Sequence, residues 1–182
     1  MTKALLAAAA AVALVQLLPL RFPEEDRLHV YYIVPIAALS FFLAGLALAA
    51  RGLRPPPIVL VSTALAGVGI AHAAAPVWPL LPPPAELLVH LASAALLGIG
   101  LLWLIKQHWR QSRTAGALLF SGVAVGLLVF LHSALARYAA YYESQSAGLA
   151  GIVAWAWEFA VGYGIGGLAA VTSAVAGARR AA

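Results

Sequence analysis

Residues 85–105 read AELLVHLASAALLGIGLLWLI, and KQHWR follows at once at 106–110. About 20 mainly apolar residues wound as an α-helix rise about 30 Å, the thickness of a bilayer's hydrocarbon core. Glu86 opens the run, while Lys106, His108 and Arg110 close it. A run closed by basic residues marks the cytoplasmic end of a membrane-crossing helix.

Working outward from this stretch, five more apolar segments appear, at about Ala4–Leu20, Leu28–Ala50, Ile58–Ala75, Ala115–Leu135 and Gly148–Ala176. With Ala85–Ile105 they predict an all-α polytopic membrane protein of about six transmembrane helices, helices two to five forming a four-helix bundle. The composition agrees: 64% of residues are hydrophobic, 9% are charged, and the mean hydropathy is +0.95. No polar stretch is long enough for a second domain, so residues 1–182 read as one integral membrane domain. The first segment, with Lys3 before an apolar core, resembles a signal peptide. It runs into Leu17, Leu18, Pro19 and Leu20 without a small-residue cleavage site, and so reads as a helix.

The connections are short and their charges alternate. Lys3, Arg51/Arg54, Lys106/Arg110/Arg113 and Arg179/Arg180 fall on one side. Glu24, Glu25, Asp26, Glu86 and Glu143 fall on the other, with Arg21, Arg27 and Arg137. Six spans with both termini in the cytoplasm satisfy the positive-inside rule at every loop, and predict a multi-pass protein of the cell's inner (plasma) membrane. The formal net charge of +5 would suggest nucleic acid for a soluble chain. Here the basic residues flank apolar runs, so the expected partner is the lipid bilayer and not nucleic acid. Pro55–Pro57 and Pro82–Pro84 are expected between helices, and Pro35 inside the second. Tyr31, Tyr32, Trp78, Trp109, Tyr141 and Tyr142 gather near the interfaces, and the Gly122/Gly126 and Gly162/Gly166 spacings permit close helix approach.

The chain has no cysteine and one methionine, Met1, which excludes disulfides, thiolate metal sites, cysteine nucleophiles and methionine-rich copper chemistry. No phosphate-binding glycine loop, nucleophile elbow or His-Glu-x-x-His motif occurs. The chemistry that remains belongs to histidine. On the predicted topology His29, His72, His90 and His132 all sit at the outer end, and His108 alone lies inside, in a basic loop. The intervals 72−29 = 43 and 132−90 = 42 hint at a duplicated hairpin.

Imidazoles in bilayer helices are costly unless paired, hydrated or metal-bound, so these four form a candidate site. His72, His90 and His132 are the candidate metal ligands, with His29 as a further cofactor contact. Imidazole binds haem iron, copper and zinc, and two histidines on opposed helices can clamp a porphyrin. His72 with His132, or His90 with His29, are the candidate axial pairs, and Arg27 and Arg137 are placed to neutralise haem propionates. A three-histidine copper or zinc site is the compact alternative, and interfacial hydrogen bonding with no cofactor is the third. Glu158, about ten residues into the sixth helix, is expected to face the bundle or a partner subunit. It would serve as a proton relay, a quinone contact, a metal ligand or an interhelical hydrogen bond.

The pattern from Leu88–Val89–His90–Leu91–Ala92 through Phe120–Ser121–Gly122 to Leu131–His132 resembles small membrane b-type cytochromes, and also copper-resistance D-type membrane proteins. The cytochrome resemblance implies haem b, electron exchange with a quinone, and axial ligands at His90 and His132. The chain departs from two-level cytochromes in carrying all its intramembrane histidines on one side. Three functional expectations follow. The first is a haem-binding electron-transfer subunit with its site toward the outer face, inside a respiratory or redox complex. The second is a cofactor-free accessory subunit packing against other membrane subunits, and the third a histidine-based copper-binding membrane protein. In each the chain is a subunit or carrier rather than a stand-alone enzyme.

Overall fold

The computed structural model describes the backbone of residues 1–15, 29–74, 83–143 and 149–178. Arg27, with Glu24, Glu25, Asp26, Trp78 and Arg179/Arg180, lies outside these residues, as do the side chains of His29, Tyr31, Tyr32, Glu86, Arg137, Tyr141, Tyr142 and Glu143. The described chain folds as six α-helices: α1 (Thr2–Val15), α2 (His29–Ala49), α3 (Pro57–Ala74), α4 (Pro83–Gln111), α5 (Arg113–Glu143) and α6 (Leu149–Ala178).

Local chemistry sets the ends. Gly52, at φ +78°, takes the left-handed conformation that stops α2, a conformation only glycine adopts without strain. Pro57 then opens α3 at the position where a missing N–H costs nothing. Between α4 and α5 stands a single residue, Ser112. Its N–H still bonds the His108 carbonyl (2.9 Å), while its hydroxyl accepts the Ala115 N–H (3.3 Å), so one residue ends α4 and caps α5.

The expected break at Ile105 does not occur. Helix α4 runs on through Lys106–Gln111, which corrects the placement of His108 in a loop. Lysine, glutamine and arginine are good helix formers, and cations suit a helix C-terminus. His108 moreover continues the buried stripe of Leu97, Leu101 and Leu104 at helical spacing.

Seam by seam, α1 packs on α2 and α3, α2 on α6, α6 on α5, α5 on α4, and α4 on α3, closing a ring that a slight α4–α6 contact crosses. A four-helix bundle of helices two to five is therefore not the arrangement among the described residues: α2 lies between α1 and α6. The cause is the small-residue surface of α6. A Cβ on Gly45 would stand 2.9 Å from the Gly167 carbonyl oxygen. On the α5 side, Cβ atoms on Gly122 and Gly166 would each stand 2.9 Å from the other's carbonyl oxygen. Backbones this close leave no room for side chains, and α6 admits a neighbour on both flanks. Phe42 of α2 fills the space left over, against Gly126, Gly166 and the Tyr163 ring, whose centroid lies 6.1 Å away. Leu43, Leu46, Leu101, Leu104 and Leu119 complete the buried core.

Three described stretches are long and apolar enough to cross a membrane: Leu87–Gln111, Arg113–His132 and Trp157–Gly177. Thr2–Leu14, Ile33–Ala49 and Pro57–His72 are shorter apolar helices. Their outward faces are apolar too, with Val68, Leu88, Leu102, Leu128 and Leu168 each more than half exposed. An apolar surface on this scale is compatible with contact to a lipid bilayer.

Candidate functional site

Contacts fix the register between neighbouring helices, and the register places the histidines. A Cβ on Gly69 of α3 would collide with Ser93 Oγ of α4. These two residues are thus opposed on antiparallel helices, and three residues further out on each chain His72 comes level with His90. His90 is buried and tilts against Phe130 of α5, ring centroids 5.9 Å apart, while His72 is half-buried. Ser93 keeps its hydroxyl within α4 by donating to the Val89 carbonyl at 2.6 Å, as hydroxyls inside helices do.

On the next seam, His132 of α5 meets α6. Its Nδ1 stands 4.0 Å from Glu158 Oε2, beyond hydrogen-bond range. The ring also meets Phe159 edge-on, centroids 6.2 Å apart. Both polar side chains face out of the ring, at 58% exposure for His132 and 60% for Glu158. Of the two orientations expected for Glu158, this excludes the bundle interior.

Phe130 and His132 sit two residues apart on α5 and so point to different neighbours, Phe130 to α4 and His132 to α6. His90 and His132 accordingly belong to adjacent seams. His72 and His132 lie on α3 and α5, which α4 separates. His29 opens α2 at the same end of the ring, and its side chain lies outside the described residues. Among the described residues no three His, Cys, Asp or Glu side chains converge as metal ligands. The structure brings His72 level with His90 and pairs His132 with Glu158.

At the opposite end lies a site that the sequence reading missed. His108 is 3% exposed; its Nε2 is 2.8 Å from the Ala49 carbonyl oxygen of α2, and its Nδ1 is 2.9 Å from Ser173 Oγ of α6. Ser173, fully buried, also lies 2.8 Å from the Ala115 carbonyl oxygen of α5. One imidazole and one hydroxyl thus tie α2, α4, α5 and α6 together. The Ala49 carbonyl, in the last turn of α2, is one of those that a helix leaves without an internal donor, and His108 caps it from another helix.

Proton counting fixes the tautomer. A carbonyl only accepts, so Nε2 carries a proton. Making all three contacts into hydrogen bonds would need a second ring proton, on Nδ1, and hence a buried cation. The third bond is worth about 1 kcal/mol, whereas burying an uncompensated charge costs several. The surrounding ionisable residues Arg51, Lys106, Arg110 and Arg113 are all basic. The neutral ring wins: Nε2–H donates to the Ala49 carbonyl, and the single Ser173 hydroxyl proton is shared between Nδ1 and the Ala115 carbonyl.

The signal for this knot is legible in retrospect. His108 lies four residues beyond Leu104, and Ser173 lies three beyond Ala170, each extending a buried helical stripe. No family model, curated protein or solved structure matches this chain.

Proposed function

We propose that the chain is a six-span integral protein of the cell's inner (plasma) membrane, with both termini cytoplasmic, and that it works as a non-catalytic subunit of a membrane assembly. Arg51, Arg54, Lys106, Arg110 and Arg113 are exposed around the end of the ring marked by His108, which supports that end as the cytoplasmic one. His29, His72, His90 and His132 then lie toward the outer face.

The observation that carries the subunit reading is the outward-facing His132–Glu158 pair. Among the described residues around it, Leu128, Leu135, Trp157 and Val161 are exposed and apolar. Ionisable groups within a membrane face a bundle interior, water or a partner, because a charge near the bilayer centre costs about 3 kcal/mol even on insertion scales. Facing out of its own ring, toward the outer end of the spans Arg113–His132 and Trp157–Gly177, this pair is open to a protein neighbour. The test is the protein mass, corrected for lipid and detergent, of the particle released by a mild detergent. A particle larger than one chain of 18.8 kDa supports the reading, and a single chain contradicts it.

A second reading, haem-binding electron transfer, is favoured by one observation: His72 stands level with His90 at the end where α2 begins with His29. In that reading these imidazoles, with His132, hold haem b, Arg27 and Arg137 meet its propionates, and Glu158 contacts a quinone. A copper ion on the same histidines is its variant. Oxidised and dithionite-reduced absorbance spectra, with metal analysis of the same sample, decide among them. Split reduced bands that vanish in His90→Ala establish haem, and a colourless, metal-free protein leaves the accessory subunit.

A further inference from the structure

At 3.6 residues per turn, Leu91, Ile99, Leu102, Lys106, Trp109 and Arg110 fall within about 100° of arc on α4. All six are exposed, and Leu101, Leu104 and His108 on the opposite side are buried. The outward stripe of α4 is thus apolar through Leu102 and closes on two cations and an indole. Gly98, one turn before Leu102, leaves a notch beside it, since nothing lies within 4 Å of its Cβ position. Trp109 is held from behind: a Cβ on Gly116 of α5 would stand 2.7 Å from its Cε3.

Lys106 and Arg110 stand one turn apart on this stripe, where like charges repel. No aspartate or glutamate occurs between Glu86 and Glu143, so the α4–α5 hairpin brings no counterion to its own tip, where the exposed Arg113 adds a third cation. Positive-inside bias asks only that cations lie at this end, as Arg51 and Arg54 do between α2 and α3. It does not ask that they close a lipid-facing stripe with tryptophan at their level. That arrangement has the outline of a phospholipid. Arg110 and Ile99 are eleven residues apart, about 16 Å of helix, close to the half-thickness of about 15 Å that the acyl chains of one leaflet fill. A headgroup bearing an amine would bring a further cation against Lys106 and Arg110, whereas an amine-free phosphodiester brings only the charge they lack.

We infer that the outward stripe of α4 from Ile99 to Arg110 seats a diacyl phospholipid with an anionic, amine-free headgroup. Its phosphate lies at Lys106 and Arg110, its glycerol at the level of Trp109, and its chains along Leu102 and Ile99. The inference rests on the membrane reading above and adds a ligand to it.

The test uses the full chain in phosphatidylcholine vesicles that carry a trace of phosphatidylglycerol or of phosphatidylcholine, each with the same photoreactive diazirine on its acyl chain. After irradiation, mass spectrometry of peptides locates the adducts. Phosphatidylglycerol should label the stretch 99–109 at least about fivefold more than phosphatidylcholine, the factor that one cation near a membrane surface supplies. Lys106→Gln with Arg110→Gln should bring the two to parity, and the charge-keeping exchange Lys106→Arg with Arg110→Lys should keep the preference. Arg51→Gln with Arg54→Gln should leave it unchanged. Parity in the unaltered chain overturns the inference, as does loss of the preference in the charge-keeping exchange. Equal loss on changing Arg51 and Arg54 overturns it too, since a diffuse basic surface would behave so. A chain that alkali extracts from the vesicles removes the membrane reading itself, whereas a chain retained without the preference removes the lipid seat alone.

Discussion

His108 Nε2 caps the Ala49 carbonyl at 2.8 Å, so a side chain from α4 completes the last turn of α2. Helices far apart in sequence are thereby locked at the basic end of the ring. Replacing His108 with alanine removes two hydrogen bonds, orphans a buried carbonyl and leaves a cavity. His108→Ala is expected to destabilise the protein by about 2–4 kcal/mol, with His108→Gln recovering part of the loss through an amide donor to Ala49. Thermal unfolding in detergent measures both.

Ser173→Ala should cost less, about 1–2 kcal/mol, because the Ala49 cap survives and only the Nδ1 partner is lost. In a double-mutant cycle the His108 and Ser173 effects should fall short of additivity by more than about 0.5 kcal/mol. Nitrogen-15 spectra of histidine-labelled protein, assigned by difference from the His108→Gln variant, should show one protonated and one bare ring nitrogen for His108. Two protonated nitrogens would contradict the neutral ring.

Gly122→Val should drive α5 from α6, since any Cβ there meets the Gly166 carbonyl oxygen and the Ala169 methyl group. A loss of about 1–3 kcal/mol is expected from overpacking. Gly98→Ala is the contrast: nothing lies within 4 Å of its Cβ position, and the better helix propensity of alanine should leave stability unchanged or raised by up to about 1 kcal/mol.

Removing the hydroxyl in Ser112→Ala should weaken the single-residue turn between α4 and α5 by about 1 kcal/mol, the usual worth of an N-cap. The effect should show as faster backbone hydrogen exchange in the first turn of α5.

Helix number and approximate position were legible because long apolar runs are a strong signal, although the charges at Lys106–Arg110 did not end α4 and Pro83 opened it. The Gly122/Gly126 and Gly162/Gly166 spacings marked α5 and α6 for close approach, but that Gly122 meets Gly166 was not legible from them. Nor was the order of the helices around the ring. It depends on which flank of α6 accepts Phe42 and which accepts Gly122, and every helix here is apolar on several sides, so periodicity does not single out a partner. His72 and His90 were read at one end, but their shared level follows from the Gly69–Ser93 contact, which no local pattern encodes. His108 was taken for a loop residue because its basic neighbours masked the continuation of the Leu97–Leu101–Leu104 stripe. The outward direction of Glu158 was not legible.

The central claim, a six-span protein with its basic end in the cytoplasm, is tested most directly by labelling single cysteines on intact cells with a membrane-impermeant maleimide. Ser146→Cys, between α5 and α6, should label from outside, whereas Arg51→Cys and Arg113→Cys should label only after the cells are permeabilised. Labelling of Arg51→Cys or Arg113→Cys on sealed cells, with Ser146→Cys protected, would contradict the account.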